Sequence, residues 1–266
     1  MINQFNKVLL LAIFLVCGTL STFSSTAPYV LDVKRNSQEE LPTLDHILER
    51  YVEAIGGQEA IGKLTTRVCK GRYIDDRPYA GPKKVTPFET FAKIPDKSLF
   101  IMNDPENTEQ EGFDGKIRWR QDKNGLVQRE NLDRSQMDYF LDPQNALRIQ
   151  EYFPGMELMG KAKIRGRSVY VVENRRKTPH YTLYFDLKTG LLIQIGYYGL
   201  HEYKNVDGVQ FPFRLEYSRK GGSNTYIFDD VRHNIPIDEM RFIIPEKRTM
   251  DLFISLRYYT GCLYAR

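Results

Sequence analysis

Residues 181–217 read YTLYFDLKTGLLIQIGYYGLHEYKNVDGVQFPFRLEY, and their pattern decides the fold. Asp207-Gly208 lies between two runs rich in aromatic and β-branched residues, and Lys188-Thr189-Gly190 marks another reversal. A glycine there supplies a positive φ without a Cβ penalty, and Asp-Gly is a strong short-range hairpin signal. Past the turn, Phe211, Phe213, Leu215 and Tyr217 alternate with Pro212, Arg214, Glu216 and Ser218. A period of two sets the first group on one face of a strand and the second on the other. The stretch predicts a meander of four antiparallel strands with one buried, apolar face.

The rest of the chain has to supply more sheet and a cover for that face. Strand patterns occupy 66–74, 87–94, 97–102 and 109–113, with 81–87 a Gly/Pro/Lys loop. In 116–120, Ile117 and Trp119 alternate with Lys116, Arg118 and Arg120, between turns at Asp114-Gly115 and Asn124-Gly125. Further strands are expected at 156–164, at 168–173 after the Arg165-Gly166 turn, and at 223–231. Helical spacing appears twice. Leu44, Ile47, Leu48, Val52 and Ile55 recur at three and four behind a cap at Pro42-Thr43-Leu44-Asp45, and Gly56-Gly57 ends the run. Residues 58–64 read as a second short turn of helix. Residues 135–152, with Met137, Phe140, Leu141, Ala146, Leu147 and Ile149, suit a plug for the concave side of a curved sheet. Strands continue on both sides of this insert, so no linker divides the chain. The expected class is mainly antiparallel β with α-helices (α+β).

The N-terminus reads as a targeting segment. Lys7 precedes the apolar run 8–16, and small and hydroxyl residues follow, the signature of a secretory signal peptide. The expected organisation is a signal peptide over 1–24, a polar linker over 25–41 and one domain over 42–266. Phe14-Leu15-Val16-Cys17 is similar to a lipobox, although Val16 replaces the small residue. Two destinations stay open: the periplasm, or the outer membrane if Cys17 is acylated. The later Cys69 and Cys262 could pair in an oxidising compartment.

The composition, 41% hydrophobic and 27% charged over 266 residues, is enough for a sizeable core. Removing 1–24 takes away Lys7 and no acidic residue, lowering the net charge from +4 to +3. Basic residues are dispersed, which with export argues against a nucleic-acid partner. Transient contact with an anionic membrane surface fits the same charge.

Nothing in the sequence calls for an enzyme. His46, His180, His201 and His233 show no metal spacing, and no nucleophile elbow, P-loop or dinucleotide fingerprint is present. His201-Glu202 beside Tyr203 could form part of a site, but a regular strand points neighbours to opposite faces. No catalytic residue, metal or cofactor is expected.

Six segments in order carry a family resemblance: ILERYVEAIGGQEAIGKL (47–64), FAKIPDKSLFIM (91–102), FDGKIRWRQD (113–122), YFDLKTGLL (184–192), VDGVQFPF (206–213) and NIPIDEMRFIIP (234–245). Together they resemble the LolA/LolB-like superfamily of outer-membrane lipoprotein-sorting proteins, over about 42–245. The resemblance implies a strongly curved sheet or incomplete β-barrel covered by helices, with acyl chains held in a concave hydrophobic cavity. The expected liners are Phe91, Phe100, Ile117, Trp119, Phe140, Tyr184, Phe213 and Leu215. The expected function is a non-enzymatic carrier or chaperone for a lipid or acylated lipoprotein. The alternatives are an envelope protein-interaction module whose core is filled by its own helices and, third, a hydrolase.

Overall fold

In a computed structural model of the chain, the described residues are 40–78, 81–130, 136–174, 181–219 and 222–245. The expected signal peptide, most of the expected linker, Cys17, His180, Cys262 and the tail beyond Pro245 lie outside them.

The described strands form one antiparallel sheet of thirteen. The first wing holds β1 (Thr66–Asp75), β2 (Lys84–Lys93), β3 (Lys97–Met102), β4 (Glu109–Phe113), β5 (Ile117–Asp122) and β6 (Gly125–Glu130). The second holds β7 (Met156–Ile164), β8 (Arg167–Asn174), β9 (Thr182–Asp186), β10 (Leu192–Ile195), β11 (Tyr198–Val206), β12 (Val209–Arg219) and β13 (Gly222–His233). Each wing is a meander of sequence neighbours. They join through β1 and β13, so β6 and β7 are the two edges of an open, curved sheet. The organising stretch forms four strands as expected, and Asp207-Gly208 turns with φ of 53° and 85°. Both residues have the left-handed φ that a two-residue hairpin of this kind requires.

The expected loop over 81–87 is a correction, because β2 already starts at Lys84. Pro87 is tolerated inside it because β3 ends opposite Phe88. The Pro87 carbonyl accepts from Asn103 N–H on that side, so the missing proline N–H faces a position beyond the ladder.

Helix α1 (Leu44–Ile55) starts at Thr43, whose side chain accepts from the His46 N–H, and stops at Gly56 with φ 141°. Its buried face is Ile47, Leu48, Tyr51 and Ile55. The short α2 (Gly57–Gly62) adds Ile61. The segment between β6 and β7 must carry the chain from one sheet edge to the other. It contains α3 (Gln136–Leu141) and α4 (Ile149–Tyr152). Tyr139, Phe140, Ala146, Ile149, Tyr152 and Phe153 are all buried in the main core with α1, α2 and the inner sheet face. The insert thus plugs the concave side.

Candidate functional site

The candidate site is the concave side of the sheet with its helical plug. Along β9, Leu183 and Phe185 point into the main core, while Tyr184 points to the opposite face. Leu192, Leu200, Val209, Phe211 and Leu215 continue the inner surface across β10 to β12. Helix α1 lies over it, with the Tyr51 ring edge-on to Phe185 at 5.5 Å. Space between α1, the plug and the sheet amounts to about 20 Å³, bounded by Tyr51, Arg67, Tyr139, Phe140, Leu200 and Phe211. That is room for one or two waters. In this state the trough is filled by the protein's own helices.

Polar contacts fasten the plug. Buried Arg67 on β1 gives Nη1–H to the carbonyls of Phe140 (3.3 Å) and Asp142 (3.0 Å), and Nη2–H to that of Pro143 (3.1 Å). Its Nε–H goes to His233 Nε2 at 3.0 Å, and the guanidinium lies 4.8 Å from the centre of the Phe211 ring. Burial pulls the Arg67 pKa below the usual arginine value. Because His233 accepts from Arg67, it is neutral; burial, then the Arg67 charge, push its pKa down to about 4. Its Nδ1 stands 3.5 Å from the Asp207 carboxylate, longer than a well-formed hydrogen bond.

Further out, Arg118 on β5 pairs with Asp138 at 2.6 Å, and Arg148 pairs with Asp96 at 2.7 Å and Asp142 at 3.1 Å. The Gln144 amide donates to the carbonyls of Gly62 and Leu64, tying the plug to the end of α2. Tyr51 and Tyr139 join hydroxyls at 2.7 Å, and burial pushes the Tyr51 phenol up to about 12. Helix α1 itself is held mostly by its apolar face, with Arg50 Nη2–H reaching the Leu187 carbonyl.

The eight expected liners do not share one surface. Phe140 and Leu215 are buried in the main core, and Phe100 and Phe213 pack against it. Phe91 and Trp119 sit instead in a separate cluster with Leu99 and Phe242, on the opposite face of the first wing. Ile117 shares the face of Trp119 by strand parity, and Tyr184 belongs to a third cluster on the outer face of the second wing. The physical reason is that apolar side chains pack on both faces of this sheet. Residues 235–245, with a 3₁₀ turn at Glu239–Phe242, close over the first wing's outer side. Trp119 lies flat on Gly112 of the neighbouring strand; a Cβ on Gly112 would come 2.4 Å from its ring. Its Nε1–H points to the Phe242 carbonyl at 3.4 Å.

Sequence reasoning missed Arg67, Tyr51 and Tyr139. An arginine at the start of a strand pattern was the available signal for the first. Cys69 is a buried free thiol, its pKa pushed up to about 11 by burial. Among the described residues no three His, Cys, Asp or Glu gather as a metal set, and no helix is long and apolar enough to cross a membrane.

No protein-family model matches the chain, and no curated protein matches it. Solved structures do. A DUF1329 family protein from Desulfovibrio piger is 13% identical, covering 76% of this chain and 98% of its own, with a TM-score of 0.51. A LolA superfamily protein from Nitrosomonas europaea is 12% identical over the same shares, also at 0.51. An outer membrane lipoprotein-sorting protein domain from Vibrio parahaemolyticus is 13% identical over 73% of this chain and 95% of its own, at 0.50. These matches show the fold alone: the open, curved antiparallel sheet of thirteen described strands, with few helices, is the LolA-like fold.

Proposed function

We propose that the chain is an exported, non-enzymatic carrier that holds the acyl chains of a lipid or lipoprotein against the concave face of its sheet. The observation carrying this reading is the seat of α1. Ile47, Leu48, Tyr51 and Ile55 cover an inner surface of Leu183, Phe185, Leu192, Leu200, Val209 and Leu215. Lifting α1 with α2 would open an apolar trough without breaking the sheet. An acyl chain entering it gains about 0.8 kcal/mol per buried CH₂, replacing what the helix face loses. The many polar fasteners of α3 and α4 make that insert the fixed floor, and α1 the moving lid. Residues 1–24 act as the signal peptide in this reading, and the protein works in the periplasm, or at the outer membrane if Cys17 is acylated.

A second reading has its own support. The interior space of about 20 Å³ favours an envelope interaction module whose core stays filled. Mass spectrometry of an organic extract of the purified protein, with uptake of a fluorescent fatty acid, separates the two. A stoichiometric lipid, or saturable uptake that quickens in Tyr51→Phe, supports the carrier. A folded protein with neither leaves the filled module.

A further inference from the structure

Arg67 is buried on the concave side, where it borders the space of about 20 Å³ beneath α1. Its bonds to the three plug carbonyls and to His233 use four of its five guanidinium N–H groups, leaving one on Nη2. Its charge has no direct counter-ion. The charge of Asp142 acts on it, but that carboxylate pairs with Arg148 at 3.1 Å and accepts from the Tyr152 hydroxyl at 2.9 Å. Among the described residues no carboxylate stands within ion-pair distance of Arg67.

Fastening the plug does not require that charge. Gln144 binds the carbonyls of Gly62 and Leu64 with a neutral amide. Burying a cation among neutral partners costs far more than burying an amide, so a full charge at this depth points to a use beyond fastening. Tyr139 borders the same space, and its hydroxyl bonds Tyr51 on the lid. Burial holds the Tyr139 phenol well above its ordinary pKa, so it stays protonated. Lifting α1 takes Tyr51 away and leaves the Tyr139 O–H and the spare Arg67 N–H beside one opened space, with Leu200 and Val209 as its apolar wall.

We infer that Arg67 and Tyr139 bind the carboxylate of a free fatty acid that enters the trough acid end first. This rests on the carrier reading and narrows its cargo. A carboxylate accepts from both donors through its two oxygens, and its single negative charge balances the one buried cation. A free acid carries its charge at the end of the chain, so a narrow apolar space can admit it head first. The phosphate of a diacyl phospholipid lies between its chains and the rest of its headgroup, and an ester- or amide-linked chain brings no charge.

The test compares cis-parinaric acid with its methyl ester, the same fluorescent chain with and without the charge, in equilibrium titrations of the purified protein. The wild type should bind the acid about tenfold more tightly or better, the scale of one hydrogen bond to a charged group. Tyr51→Phe and Tyr139→Phe break the same lid contact, so the release of the lid changes acid and ester binding alike in both. Only Tyr139→Phe should also cut the preference for the acid, by several-fold. Arg67→Gln keeps an N–H for the plug carbonyls but loses the charge, and should abolish the preference; where it fails to fold, Tyr139→Phe decides. Saturable binding of acid and ester without preference overturns the carboxylate site and leaves the carrier standing. A preference unchanged in Tyr139→Phe overturns the site as well. Binding of neither overturns the carrier reading, and this site with it.

Discussion

The hydroxyls of Tyr51 on α1 and Tyr139 on α3 meet at 2.7 Å inside the core, joining the lid to the plug. Each is the other's hydrogen-bond partner in the buried core, so removing one takes that partner from the other. Tyr51→Phe and Tyr139→Phe should each cost about 1–2 kcal/mol, and the double variant much less than their sum. Urea unfolding of the four proteins measures this; simple additivity would deny the coupling.

Arg67 is the main polar anchor of the plug. Arg67→Met strands three carbonyls and should destabilise by about 3 kcal/mol or more. Hydrogen exchange should rise most in 140–150. Uniform acceleration over the whole sheet would show that Arg67 supports the fold generally rather than the plug.

Trp119 is the chain's one tryptophan, buried against Gly112 and Phe242. Native emission should therefore be blue-shifted. Gly112→Ala should cost about 1–3 kcal/mol through overpacking and move the emission to the red. An unshifted spectrum with unchanged stability would contradict the stacking.

His233 makes stability depend on pH. Its pKa is about 4 in the folded protein and about 6.5 unfolded, so between those values the unfolded chain holds the extra proton. The stabilising contribution of neutral His233 is complete above pH 6.5 and is lost as pH falls towards 4. The urea midpoint should drop from pH 7 to pH 5, and His233→Gln should flatten the slope. Identical slopes in both proteins would assign the dependence to other groups.

Turns and caps were legible because they depend on neighbouring residues. Asp207-Gly208, Arg165-Gly166 and Thr43 all do in the structure what local chemistry demands. Faces were less legible. Alternation in 116–120 correctly separates Trp119 from Arg118, but it does not say which of them lies inside the curve. Arg118 does, 12% exposed beneath the plug, while Trp119 packs outside. That assignment depends on where α3 and residues 235–245 come to rest, which is non-local. The left-handed Glu202 likewise defeats a strict period of two in β11.

The placement of β1 beside β13 also shapes how the chain folds. Within each wing every strand pairs with its neighbour in sequence, so the hairpins close short loops and can assemble early. The seam is different: Arg67 and His233, which face each other across it, are 166 residues apart. Bringing them together is the costly loop closure, and the rate of folding should follow the seam rather than either wing.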